Sequence, residues 1–396
     1  MAEKHIILRS TRGATRDPFL GPGAVAAAPE PDAGIELDVE ELERNEVPRL
    51  TRGSDVMAVA PAMPMRLVAP VEDLGDVAAP AALETSWGVQ AVRADTSPFT
   101  GDGIVVAVLD TGIDADHPAF NGVELVEEDF TGEGNGDQNG HGTHCAGTIF
   151  GRDTDNHRIG VARGIRRALI GKVLGQEGGS SDEIVSAIRW AVDNGAHVIS
   201  MSLGLDFPGF QRRLVEEAGF PLELATSRAL EGYRQNVLLF ERLASLIRTQ
   251  GSFLQPAVLV AAAGNESQRS VDPSFEIAVS PPAVSEGVVS VAALGQSGDR
   301  FSVAPFSNTG ANLSGPGVGI VSARAGGGLR SLSGTSMATP HVAGVAALWA
   351  ERIRATGALS AFQLTGRVVG SCTTDRLVSG FDPFDTGAGL VGAPQA

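Results

Sequence analysis

Three short segments of this chain set a reactive side chain among glycines. They are Val108-Leu109-Asp110-Thr111-Gly112, Asn139-Gly140-His141-Gly142-Thr143-His144 and Gly334-Thr335-Ser336-Met337-Ala338-Thr339-Pro340-His341. A serine hydroxyl is a poor nucleophile near neutral pH. It needs a base to take its proton, and that base needs a carboxylate to fix its tautomer and orientation. Asp110, His141 and Ser336 are the three residue types for that division of labour. A lone Ser, His or Asp beside glycine is usually structural, so the combination carries the reading and no single residue does.

Such a set works only if separate elements deliver its members to one place. Residues 104–109 are a continuous apolar run ending at Asp110. That pattern suits a buried parallel strand with chemistry at its carboxyl end. Ser336 precedes a helical pattern over 342–354, so its hydroxyl falls at a helix start, where free N–H groups favour developing negative charge. Pro340 is tolerated there because it lies in the first turn. His141 opens an apolar helical stretch through Cys145, Ala146 and Ile149. Ser180 and Glu183 form a capping-box pair before a helix over 182–193, which Gly195 stops. Strands are expected at 198–201, 258–263 and 288–293. This alternation predicts an α/β fold with a mostly parallel sheet covered on both faces.

The three segments, in the order Asp, His, Ser, resemble the signatures of the subtilisin-like serine peptidases, the subtilase family. The resemblance spans residues 87–392. It implies a three-layer sandwich around an about seven-stranded, mostly parallel sheet. It implies a serine endopeptidase acting through an acyl-enzyme on a peptide or protein substrate, with no cofactor required. Asp110 would orient the imidazole, His141 serve as general base and then acid, and Ser336 attack. Val260-Ala261-Ala262-Ala263-Gly264-Asn265-Glu266 resembles the family's oxyanion-hole segment. It implies a hole formed by the Asn265 side chain and the backbone N–H of Ser336. Ser202, Leu203 and Gly204 resemble the strand that pairs with an extended substrate. Ala262, Ala263 and Gly264 would line the other wall and the first specificity pocket.

The chain also departs from the family. The family often has a strong calcium site in which a His-Pro pair is followed by an Asp ligand. Here His117-Pro118 is followed by Ala119, and His157 stands in the 155–161 loop where a ligating Asn is expected. Calcium needs six to eight oxygens, so the strong site reads as lost and no metal ligand is assigned. A weak structural calcium in the acidic run 127–137 stays open. Ser202 and Asn265 are 63 positions apart, about twice the family's usual spacing. The insertion, at about 205–255, includes an amphipathic stretch over 222–247. It reads either as a helical flap over the cleft or as surface decoration and oligomer contact.

Residues 1–80 form a separate accessory segment, and 81–396 the catalytic domain. The segment holds a Pro/Ala/Gly-rich loop at 21–34, strand-like runs at 5–8, 35–39 and 56–60, a helical turn at 40–44, and an extended connector at 61–80. It is either a propeptide whose closing strand is 56–61, with self-cleavage between Met65 and Trp87, or a permanent attachment.

Bulk properties narrow the rest. The net charge of −17 disfavours a nucleic-acid binder. No run of about 18 apolar residues suggests a membrane span. The N-terminus lacks a signal-like apolar stretch. That places the chain in the cytoplasm, or outside the cell if a leader has been trimmed. Cys145 and Cys372 read as free thiols or as one bridge. Oligomeric state is left open. His144 reads as structural, hydrogen-bonded within its helix; Cys145 as a small buried thiol beside the site; His341 as a packing residue; Asn308 as a turn residue. An esterase of the α/β-hydrolase kind would need a Gly-x-Ser-x-Gly elbow and the order Ser, Asp, His, and neither is present. A silent binding protein would be marked by loss of a triad residue or of Asn265, and all four remain. A dedicated processing protease stays open beside a general one.

Overall fold

The computed structural model describes residues 2–10, 35–250 and 256–395; the loop read at 21–34 lies outside them. Among the described residues the main sheet has eight strands. Its order is Arg300–Val303, Val288–Ser297, Val258–Ala262, Val198–Met201, Val105–Asp110, Arg167–Lys172, Glu124–Asp129, with Leu313–Pro316 also pairing with Val288–Ser297. Seven of the strands run parallel, and Arg300–Val303 alone is antiparallel. The sheet is therefore mixed, with an antiparallel hairpin added to the expected parallel set.

Two apolar cores lie on its two faces. One holds Val106, Val108, Ile149 and Phe150 with Val342 and Val345 of the helix Thr335–Thr356. The other holds Ala107 and Leu109 with Ile184 and Ile188 of the helix Ser181–Asp193. Alternate residues of one strand thus feed opposite cores, which the period-two geometry of a strand requires. The capping box at Ser180 and Glu183 is present.

The accessory segment is a three-stranded antiparallel sheet in the order Ile35–Leu42, Glu3–Ser10, Val56–Pro61. Ile6, Leu8, Ala58 and Ala60 join the second core of the main unit, while Ile7 and Val59 face a small cluster of their own. The helical turn expected at 40–44 is absent: the strand runs on through Leu42, and the short helix is Val47–Leu50. Pro48 explains the shift, since its fixed φ suits a first helical turn. The stretch 61–80 is more than a connector, for it contains the strands Pro64–Leu67 and Glu72–Val77.

The insertion forms two helices, Phe207–Glu216 and Leu222–Gln250. The long one buries Leu239, Phe240 and Leu243 in the second core. It also docks the accessory segment. Asn236 Nδ2 donates to the Pro61 carbonyl at 2.9 Å, and Arg44 pairs with Glu231 at 3.1 Å. The long helix thus packs on the body of the protein and holds the accessory segment. Among the described residues no helix is long and apolar enough to cross a membrane. Cys145 and Cys372 are free.

Candidate active site

Asp110 ends the strand Val105–Asp110, and His141 opens the helix His141–Phe150. His141 Nδ1 lies 2.8 Å from Asp110 Oδ1, and both side chains are buried. Glycine makes this approach possible. A Cβ on Gly142 would lie 2.1 Å from the Gly112 carbonyl oxygen, and one on Gly112 would lie 2.3 Å from that of Gly136. Burial opposes charging of His141, but its interactions with Asp110 and Cys145 together outweigh it and raise the imidazole well above its ordinary value. Cys145 Sγ sits 3.7 Å from His141 Nδ1, and burial pushes the thiol up.

Asp137 ties these two elements together. Its Oδ1 accepts from Thr111 Oγ1, Asn139 N and Gly140 N, at 2.9, 3.1 and 2.8 Å. Its Oδ2 accepts from Thr143 N and Thr143 Oγ1, at 2.9 and 2.6 Å. Thr111 Oγ1 in turn accepts from Gly142 N at 2.9 Å. Sequence reasoning grouped Asp137 with an acidic run for calcium. The missed signal was its place four residues before His141, where a carboxylate can collect the free N–H groups of a helix start.

Ser336 is the second residue of the helix Thr335–Thr356 and is fully buried. Its hydroxyl donates to the Val68 carbonyl at 2.5 Å. His141 Nε2 has no hydrogen-bond partner among the described residues, and neither has Asp110 Oδ2. In this arrangement the Ser336 proton is directed at the chain's own backbone rather than at the imidazole.

Asn265 is held by the same helix start: its Oδ1 accepts from Thr335 N at 2.9 Å and from Thr335 Oγ1 at 2.8 Å. Its Nδ2 donates to the Ala69 carbonyl at 2.8 Å. Ser336 and Asn265 therefore grip successive carbonyls of one peptide.

That peptide belongs to the segment 64–77, a strap lying across Ser336 and Asn265. Leu67, Arg66 and Met65 pair antiparallel with Leu203, Gly204 and Leu205, and Met65 and Pro64 pair with Gly179 and Ser180. Val68 N donates to the Ser202 carbonyl at 3.2 Å. Beyond Ser336, Val71 N donates to the Ser333 carbonyl at 2.8 Å, and Glu72–Val77 pairs antiparallel with Leu329–Ser333. Ser202, Leu203 and Gly204 thus meet a peptide backbone. Ala262 ends the strand Val258–Ala262, and Ala263 and Gly264 lead from it to Asn265. The hydrogen bonds of Ala263 and Gly264 go to Val291, Thr335 and Asn308, not to the strap. Asn308 braces this corner, donating to the Ala263 carbonyl at 3.2 Å and accepting from Glu266 N at 3.0 Å.

The other histidines sit apart from this chemistry. His144 Nε2 bonds the Ile320 and Arg330 carbonyls on the neighbouring hairpin, not its own helix as expected, and burial lowers its pKa to about 3. His341 Nδ1 contacts the Met337 carbonyl one turn back. His117 accepts from Ala119 N and reaches the Gly328 carbonyl, and His157 lies beside Glu84. Asp114 accepts from Gly326 N at 2.8 Å.

Residues 101–375 match the profile of the subtilase family. Subtilisin Savinase of Lederbergia lenta is 37% identical over 269 residues, covering 66% of this chain and 82% of that protein. M-protease of Shouchella clausii is 36% identical over the same length, covering 66% of this chain. A thermostable alkaline protease of Halalkalibacterium halodurans is 35% identical. The chain spans only 58% and 62% of the length of the last two.

Proposed function

This chain belongs to the subtilase family, and from that premise we propose that it is a serine endopeptidase whose own residues 64–77 occupy its cleft as a first peptide. The observation that carries the reading is the strap itself. An extended peptide paired on both sides of Ser336 is how a protease cleft takes a substrate largely by backbone.

In the proposed reaction the Ser336 hydroxyl passes its proton to His141 Nε2 and its oxygen attacks a peptide carbonyl. Asp110 holds His141 with Nε2 free to accept and stabilises the imidazolium that forms. The oxyanion is received by the Asn265 amide, already fixed by Thr335, so little reorganisation is needed as charge develops. His141 then protonates the leaving amine. Water repeats the sequence to release the acyl chain.

The strap is one carbonyl out of register for this. Asn265 holds the carbonyl of Ala69, while the Ser336 hydroxyl is spent on that of Val68. A shift bringing the Val68 carbonyl to Asn265 frees the hydroxyl for His141 and makes Val68–Ala69 the bond to be cut. Residues 1–68 then act as a removable inhibitor. Intact mass during incubation tests this. The expected product begins at Ala69, and Ser336→Ala keeps full length. A Ser336→Ala chain cut at the same bond would defeat self-processing.

A further inference from the structure

Arg66 is the strap residue two positions before Val68, and its guanidinium meets two carboxylates. Nη2 lies 2.7 Å from Glu266 Oε1, and Nη1 lies 3.5 Å from Asp206 Oδ1. Asp206 stands at the start of the insertion, directly after the strand Leu203–Leu205, and Glu266 lies beyond the insertion, after the strand Val258–Ala262 and Asn265. Neither depends on Arg66 for its position. Asp206 caps the helix Phe207–Glu216 by accepting from Gly209 N at 3.1 Å. Glu266 accepts from Asn308 Nδ2 at 2.7 Å through its other oxygen. Both carboxylates are held by the body of the protein, with an oxygen of each turned to the same point on the cleft rim.

The backbone register fixes which residue of a bound peptide reaches that point. Arg66 stands opposite Gly204, where the partner strand presents no side chain. Val68 donates to Ser202 and faces Ser336. We propose that Asp206 and Glu266 form a subsite for a basic side chain, Arg or Lys, at the third residue before the scissile bond, and that Arg66 is its resident ligand. The subsite rests on the endopeptidase reading above. It would make the insertion a specificity element, since its first residue supplies one of the two acids.

The pair lies at the surface, with side-chain exposures of 27% for Asp206 and 36% for Glu266. Discrimination is therefore modest and salt-sensitive, about three- to tenfold between Arg and Gln.

The test uses the full chain, incubated without probe until fluorophosphonate labelling of Ser336 in withdrawn aliquots reaches a plateau, and the unlabelled remainder is the enzyme assayed. It is then given internally quenched peptides of the 64–73 sequence carrying Arg, Lys, Gln or Glu at the position of Arg66. The expected order of kcat/KM is Arg and Lys, then Gln, then Glu. The gap should shrink as salt is raised to about 0.5 M, and Asp206→Asn with Glu266→Gln should remove it. Equal cleavage of all four peptides, with Ser336 labelled in the separate aliquots, would overturn the subsite and leave the peptidase reading standing. No labelling and no hydrolysis would overturn the peptidase reading, and the subsite with it.

Discussion

Asp110 and His141 carry a prediction that belongs to single residues. Burial alone would lower the imidazole pKa, yet Asp110, with Cys145 beside it, raises it well above the ordinary value of about 6.5. The sign for activity follows directly. A protonated His141 cannot take the Ser336 proton, so kcat/KM must rise with pH through the raised value and be lost as pH falls below it. The half-maximum is expected on the alkaline side of an ordinary histidine. Asp110→Asn removes the charge that raises it. The inflection should then move to lower pH while kcat falls on the order of 10⁴-fold, the scale seen when a triad carboxylate is neutralised. A pH–rate profile of both proteins checks this, and an inflection that stays in place would contradict it. These three residues were legible in the sequence because each sits in a short glycine-flanked motif. Arg66 and its two acids were not. Positions 66, 206 and 266 are far apart in sequence, and only the folded chain brings them together.

At the scale of elements, the loop after Val105–Asp110 and the start of His141–Phe150 are joined chiefly through Asp137. Its two oxygens accept five hydrogen bonds from four residues of these elements. Removing the carboxylate would strand several part-buried donors, at about 1–3 kcal/mol for each that finds no water. Asp137→Ala is expected to lower Tm and kcat together, with Asp137→Asn recovering part of both because its amide oxygen can still accept. Thermal melts alongside initial rates check this. An alanine variant with unchanged kcat would remove Asp137 from any positioning role.

Glu124–Asp129, Arg167–Lys172 and Leu313–Pro316 were not singled out in the sequence, but the other four of the seven parallel strands and the helices packed on them were readable from apolar runs and caps. The strands at 64–67 and 72–77 were not, and the reason is physical. The sequence Glu72-Asp73-Leu74-Gly75-Asp76-Val77 has little strand propensity of its own. It is extended because Leu329–Ser333 offers a strand edge beside it. Its structure is imposed by the cleft, and composition does not record that.

On the proposed reading, the whole molecule is a peptide-binding cleft filled by its own chain. The accessory sheet anchors the strap from one end, through Ile6, Leu8 and Ala60 in the shared core and Asn236 on Pro61. The pairing of Glu72–Val77 anchors it from the other. Held at both ends, the strap keeps the Ser336 hydroxyl on Val68 and away from His141. The most direct measurement is the time course of fluorophosphonate labelling of the full-length protein, with the modified residue mapped by mass spectrometry and intact mass followed in parallel. The account predicts slow labelling confined to Ser336, accelerating as the chain beginning at Ala69 accumulates, and nearly abolished in His141→Ala. Failure of Ser336 to label after the strap has been released, or equal labelling of the His141→Ala variant, would contradict it.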